Sequence, residues 1–532
     1  MLSKIIRRQH NSLCNVWTHK KFSTAIDIKP DHSSLENSYA SDLQKEWQQA
    51  KPFSAVPGPS RFQMIRGFMK GGEFHDKPFD VLLRLFRSRY GDIFLIPGMF
   101  GQNTHMVSFN LADHEKIFRT EGPYPMRPGN ELALEYRLAR EDDLYDEENL
   151  GVAGHGAQWG KFRHAVNPVL MQPRNIVLYI NPTQTVNEEF IKRIRQIRDP
   201  NTLEVPGNFL TEIKRLSFDS VAYIALDKYF GLVRNDACLP EAQELFDNFQ
   251  MFSMATYDLG IKPSIYKYFK TPTYKRFEKA MDRITDICCK FVDEALGRIE
   301  NTGHKGEGRS VLEQLLKIDR RIAKIMAVDM LIAGADTTST IMSGALLCLA
   351  TNAEKQQKLR EEILNTVGKT EKFTMENMKN LPYLRAFIKE SLRLYPIIFG
   401  NMRGTGMNLC LSGYQVPKGT HVILTSNLLL QDEKYFNRPK EFLPERWLRS
   451  NDGELSDGTS LKHTNPFIFL PFGFGPRSCV GKRVVELELE ITLANIVRNF
   501  QMEYNYSTEN AFNTYFMNTC NIPLKFKFTD LK

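Results

Sequence analysis

The chain has 532 residues, 42% hydrophobic and 25% charged, with a formal net charge of +8. That balance describes an ordinary globular protein with enough apolar side chains to enclose an internal ligand, and it does not fit a disordered chain. No internal period and no low-complexity tract appear beyond a polar stretch near residues 450 to 465, so a repeat array is not indicated either.

The first 26 residues hold Lys4, Arg7, Arg8, Lys20 and Lys21 and no acid, among serine, threonine and scattered apolar residues. This is the composition of a mitochondrial presequence, or of a basic arm for acidic lipid or nucleic acid. Without those five charges the formal +8 becomes +3, which points to no charged partner. No uninterrupted apolar run of about 18 residues is present, so no spanning helix is expected. Nor is there the shorter apolar stretch that a secretory signal requires. The eight cysteines (14, 238, 288, 289, 348, 410, 479 and 520) follow no disulfide framework spacing, which fits a reducing compartment.

Pro57 and Pro59 in "VPGPSR" (56–61) predict a rigid, extended approach to the folded body. Strands are expected in "GDIFLIPG" (91–98) and "HMVSFN" (105–110). Helical patterns follow at about 156–170, 183–199, 207–226, 239–257 and 273–302, then over 311–366 with breaks, 375–395 and 480–499. Between the last two, "NLCLSGYQVPKGTHVILTS" predicts a hairpin closing at Ser412-Gly413, a turn at Pro417–Gly419 and a further strand. No linker is visible after residue 60. The expected fold is therefore mainly α with a small β part drawn from both ends of the sequence, in one body.

"PFGFGPRSCVG" (471–481) presents one cysteine from a glycine-rich turn just ahead of a helix. Backbone N–H groups and the helix dipole favour a thiolate there. Glycines let the backbone approach a flat partner, Phe472 can shield the sulfur, and Arg477 can meet an anion. No C-x-x-C pair exists to suggest zinc. These features describe haem with its propionates on an axial cysteine, or else a structural cysteine beside a turn.

Phe472, Gly475, Arg477, Cys479 and Gly481 match F-x-x-G-x-R-x-C-x-G, and here the chain resembles the cytochromes P450 from about residue 50 onward. The resemblance implies haem b, with Cys479 as the iron ligand, enclosed between two long helices. Three further stretches agree with it. In "KESLRLYP" (389–396), Glu390 and Arg393 share a helix face; alone such a pair is usually a surface ion pair, but the family implies a buried structural triad completed by Arg446 of "FLPERWL" (442–448). In "AGADTTST" (333–340), glycine, aspartate and threonines conflict with an apolar helix, which marks either function or a threonine-rich contact. Thr337 can bond back to Ala333 and open the helix, and Gly334 can leave room above a haem plane. The resemblance assigns Asp336 and Thr337 to proton relay. In "WGKFR", Trp159 and Arg163 are spaced i,i+4, and with Arg403 and Arg477 they are implied to reach the propionates.

The implied activity is monooxygenation of a lipophilic substrate, a xenobiotic or a steroid or sterol, with a general likeness to insect mitochondrial members. Members of the endoplasmic reticulum carry an amino-terminal anchor that is not seen here. Arg385 and Lys389 match basic positions by which mitochondrial members dock an acidic [2Fe-2S] ferredoxin, itself reduced by NADPH-ferredoxin reductase. Lys482 and Arg483 would extend that face. A haem-thiolate isomerase or dehydratase, or a haem sensor, would need neither the relay nor the docking face. The segment "GIKPSIYKYFK" (260–270) interleaves aromatics with lysines, as peripheral membrane segments do. The expected organisation is a transit peptide over 1–30, an extension over 31–60 and the monooxygenase domain over 61–532. It would sit peripherally on the matrix side of the inner mitochondrial membrane, with no nucleic-acid partner.

Overall fold

Residues 43–531 are described by the computed structural model, apart from 235–237, 261–263, 302–309, 449–464 and 515–516. The leader expected over 1–30 and most of the polar stretch near 450–465 fall outside the described residues. Lys51–Lys532 cluster as one compact unit; in the other, Met1–Ala50, residues 43–49 are helical.

The longer helices are Gly156–Leu170 (α1), Val177–Ile197 (α2), Leu210–Leu226 (α3), Pro240–Gly260 (α4), Pro272–Asn301 (α5), Arg320–Thr351 (α6), Ala353–Thr366 (α7), Pro382–Leu394 (α8) and Lys482–Asn499 (α9). The helical periodicity placed most of these within a few residues. Helix α2 begins at Val177, not near 183, and carries Pro182 inside it, at the cost of one backbone hydrogen bond. The run over 311–366 divides into Val311–Leu316, α6 and α7. Helix α8 starts at Pro382 at its first turn, later than the expected 375.

Helix α6 organises the core. Asp319 caps it by accepting from the Ile322 N–H at 2.8 Å. It is long and apolar enough to cross a membrane by composition, yet every residue from Thr338 to Ala350 is buried among other helices. Helices α3, α5, α8 and α9 all pack against it.

Among the described residues of Lys51–Lys532, four α-helices appear where the sequence pattern gave none: Arg61–Phe68, Phe79–Tyr90, Leu111–Thr120 and Glu131–Ala139. Each is short and bears many polar residues, so its periodicity is weak, although Ser60 and Gln63 form a reciprocal capping box that marks the first.

The strands expected at 91–98, at 105–110, in the hairpin and after the turn at 417–419 form, and Asn401–Gly404 is a strand that the sequence pattern did not give. Ile93–Ile96 (β1), His105–Ser108 (β2), Asn401–Gly404 (β3) and His421–Leu424 (β6) build a sheet of order β1-β2-β6-β3. Its β2–β6 pairing is parallel and joins segments some 300 residues apart. Leu409–Leu411 (β4) and Tyr414–Val416 (β5) pair as the expected hairpin, with Ser412 and Gly413 both at positive φ.

Candidate haem site

The cysteine loop folds back on itself before α9. Cys479 N–H donates to the Phe472 carbonyl at 2.8 Å, and Ser478 N–H to that of Gly475 at 3.0 Å. Gly475 has φ +65°, and a Cβ there would lie 2.5 Å from Glu121 Oε1, so conformation and space both exclude a side chain. Burial pushes the Cys479 thiol up, against the Gly481 N–H and the charges of Arg127 and Arg163, which stabilise the thiolate. The residue nonetheless keeps part of its surface accessible. Both facts hold for a side chain that borders an internal space rather than bulk water.

Arg127 behaves the same way: it is exposed by area, yet burial is the first cause lowering its pKa, followed by Arg403. It belongs to a cluster with Arg163, Arg403 and Arg477. Arg477 lies 3.6 Å from the centre of the Trp159 ring and donates to the carbonyls of Pro125 at 2.7 Å and Gly154 at 2.8 Å. Arg163, one turn beyond Trp159 on α1, donates to the Ser478 carbonyl at 3.0 Å, while its buried Nε has no partner among the described residues. Arg403 donates from Nε to Glu121 Oε2 at 2.5 Å and from Nη2 to the Phe474 carbonyl at 3.0 Å. Burial and the neighbouring Arg127, Arg403 and Arg163 hold Arg477 down to about 9. Burial, then Arg477, hold His155 down to about 4, so it adds no charge at neutral pH.

Four guanidinium groups thus converge with Glu121 as the carboxylate among them. Burying such an excess of like charge is costly unless anions meet it. A planar dianion with an iron that accepts a thiolate fits this donor set, and haem is such a group.

On α6 the side chain of Ala333 is exposed and Thr337 is half-buried, between neighbours that are mostly buried, so this stretch of the helix is left uncovered by the elements packed around it. Thr337 Oγ1 donates to the Ala333 carbonyl at 2.7 Å as expected, but the helix continues unbroken through it. The room expected at Gly334 is not above a ligand plane: a Cβ there would meet Val221 of α3 at 2.8 Å, so this glycine serves close helix packing. Asp336 is buried, ion-paired to Lys214 of α3 at 2.9 Å and accepting from Ser253 Oγ of α4.

Glu390 is fully buried. Its oxygens accept from Arg393 at 2.8 and 2.9 Å, from Arg446 Nε at 3.0 Å and from Trp447 Nε1 at 2.8 Å. The arginines use their remaining donors on carbonyls of Leu430, Pro439, Asn437 and Arg438. The structure brings the expected three together and adds Trp447.

Residues 56–528 match the sequence profile of the cytochrome P450 family. The chain belongs to the cytochrome P450 family. Among its relatives, a Drosophila melanogaster protein named probable cytochrome P450 12c1, mitochondrial, is 52% identical over 512 residues, covering 96% of this chain and 97% of that one. Cytochrome P450 CYP12A2 of Musca domestica is 47% identical over 496 residues, covering 91% and 92%. The crystal structure of the cytochrome P450DA heme domain superposes with a TM-score of 0.69 at 16% identity, over 91% of this chain and 98% of that one, and shows the same fold. The protein is therefore a haem-thiolate monooxygenase.

In this cytochrome P450 the basic residues near the cysteine loop are partly engaged. Arg385 is bonded to Glu490 at 3.0 Å and to the carbonyls of Lys379 and Met378. Lys482 and Arg483 both lie near Glu486, at 3.7 and 3.6 Å. Lys389 is exposed and stands over the Trp447 ring at 5.9 Å. Sequence reasoning missed Glu121, Arg127, Lys214 and Trp447 as parts of the site. Arg127 sits in the loop between the helices Leu111–Thr120 and Glu131–Ala139, and the Pro125 and Pro128 that flank it were the available signal.

Proposed function

We propose that this cytochrome P450 is a mitochondrial, ferredoxin-dependent monooxygenase acting on a lipophilic substrate, with Cys479 as iron ligand and Arg127, Arg163, Arg403 and Arg477 meeting the haem carboxylates. The convergence of those arginines beside Cys479 carries the site assignment. When bound, haem supplies the centre at which dioxygen is activated. Phe472, Gly475 and Gly481 would shape the cysteine loop that holds it, and the Trp159 ring stacks on Arg477. The triad of Glu390, Arg393 and Arg446 holds the segment leading to that loop.

Proton delivery falls to Asp336 and Thr337. Lys214, a quarter exposed, connects the Asp336 carboxylate to solvent. The Thr337 hydroxyl, held on the Ala333 carbonyl, lies on the uncovered stretch of α6. Asp336 passes protons from the surface side, and Thr337 presents one inward from Oγ1.

The mitochondrial assignment is supported by the name of the Drosophila relative and by the composition of residues 1–30, proposed as a transit peptide; 31–60 would then be an extension and 61–532 the catalytic domain. A ferredoxin is proposed to dock on the face that carries Arg385, Lys389, Lys482 and Arg483. Peripheral attachment to the matrix side of the inner membrane is supported by Phe100, Ile265, Tyr268 and Phe269, which are 40–71% exposed. Lys267 ties the two loops together by donating to the Gly101 carbonyl at 3.3 Å; exposed aromatics among lysines suit a lipid interface. The apolar helix face at Ala333 favours a lipophilic substrate, with xenobiotics ahead of steroids on the likeness to insect members.

The test is turnover by the purified protein with a [2Fe-2S] ferredoxin, NADPH-ferredoxin reductase and a panel of steroids and lipophilic xenobiotics. Oxygenated product that requires the ferredoxin is expected. Product formed equally well with a microsomal flavoprotein reductase alone would overturn the electron-donor assignment.

A further inference from the structure

Glu121 follows the helix Leu111–Thr120, and its side chain is 3% exposed. Oε2 accepts from Arg403 Nε at 2.5 Å. Oε1 is buried, has no hydrogen-bond partner among the described residues, and lies 2.5 Å from where a Cβ on Gly475 would be. One oxygen therefore fixes an arginine of the cluster while the other rests against the backbone of the cysteine loop, four residues before Cys479. Arg477 also acts on this carboxylate electrostatically. Arg403 in turn spans to the Phe474 carbonyl, so carboxylate, guanidinium and loop form a closed triangle.

We propose that Glu121 is a positioning residue that holds Arg403 against the cysteine loop and, as the negative charge within the arginine cluster, keeps the reduction potential of the bound haem low. One-electron reduction adds negative charge at the iron, and a fixed carboxylate nearby opposes it in a medium that screens poorly. Four arginines without Glu121 would favour the reduced state more strongly. The acid thus balances two demands on the same cluster: cations are required to hold the haem carboxylates, yet their full charge would ease reduction of the iron. The inference rests on haem binding at Cys479, which the test checks separately.

The experiment is a spectroelectrochemical titration of purified, haem-loaded wild type, Glu121→Gln and Glu121→Asp. The Soret band of the reduced, carbon monoxide-bound form is recorded for each. A wild type without the red-shifted band of thiolate ligation refutes the haem-thiolate assignment itself and leaves no basis for a role of Glu121. With that band present, Glu121→Gln, which keeps the shape and removes the charge, is expected to have a more positive midpoint potential than wild type. An unchanged or more negative midpoint overturns the proposal. Should Glu121→Gln fail to retain haem, Glu121→Asp decides: its carboxylate is drawn back from Arg403 and the loop by one methylene. A positive shift supports the role, and a wild-type midpoint overturns it.

Discussion

Replacing Asp329 by alanine should destabilise the protein severely, whereas removing its partner as well should restore most of the loss. Asp329 lies on α6 and pairs with Arg137 Nη2; both side chains are 2% exposed. Arg137 Nη1 also donates to the Leu150 carbonyl at 2.7 Å, and Asp329 Oδ2 accepts the Val152 N–H at 2.8 Å. Asp329→Ala leaves a buried guanidinium without its counter-charge and a backbone N–H without an acceptor. Breaking one side of a buried pair costs about 3–5 kcal/mol, a large share of the roughly 5–15 kcal/mol that holds most folds together. Arg137→Met combined with Asp329→Leu removes the desolvation cost together with the attraction and should come within about 1–2 kcal/mol of wild type. Urea unfolding followed by far-ultraviolet circular dichroism on the two single variants and the double variant gives the coupling energy. Singles within about 1 kcal/mol of wild type would refute the reasoning, as would a double variant no more stable than the singles. The effect should also reach the haem site, because Arg477 donates to the Val152 and Gly154 carbonyls just beyond the Asp329 contact.

Cys479→Ser should keep its far-ultraviolet spectrum and lose the red-shifted Soret band of the reduced, carbon monoxide-bound form; retention of the band would remove Cys479 as ligand. Lys389→Glu with Lys482→Glu should slow reduction by ferredoxin about tenfold or more at low salt, measured by stopped flow, while peroxide-driven turnover is spared; Arg385 is the poorer target, since Glu490 already neutralises it. Burial pushes the Glu488 carboxyl on α9 up to about 8 despite nearby Ser217, and neither oxygen has a well-formed hydrogen bond among the described residues. The folded state thus keeps a proton that the unfolded chain releases near its ordinary value of 4.5. This group's contribution is therefore full below that value and is lost at about 1.4 kcal/mol per pH unit as pH rises toward 8. Glu488→Gln should flatten the stability profile between pH 5 and 8, and an unchanged slope would count against a buried neutral acid.

What could be read in the sequence was whatever lies close together along it. The cysteine loop fits in eleven residues, and Glu390 with Arg393 lies within one helical turn, so both were visible. Arg446 could be added only by family resemblance, and Trp447, its neighbour in sequence, went unnoticed because nothing local shows that its indole N–H turns toward Glu390. Glu121 and Lys214 look like ordinary surface charges until the chain closes, when residues 282 and 122 positions away become their partners. Gly334 was misjudged for the same reason: its motif suggested a ligand, and only the packing of α3 reveals Val221 as the neighbour. The short helices around β1 and β2 escaped because their stability comes from docking rather than from their own periodicity.

The span of those closures bears on how the protein is made. Arg477 reaches the Pro125 carbonyl 352 positions back, and Arg163 reaches Ser478 across 315. The central sheet pairs β2 with β6 over a comparable distance. A nascent chain cannot form any of these contacts until most of it has emerged, and closing such loops delays folding. Haem loading is then a late event in biogenesis. A ligand that binds only the folded form also shifts the folding equilibrium by mass action, so the supply of haem, as much as the rate of synthesis, should set how much mature enzyme a cell holds.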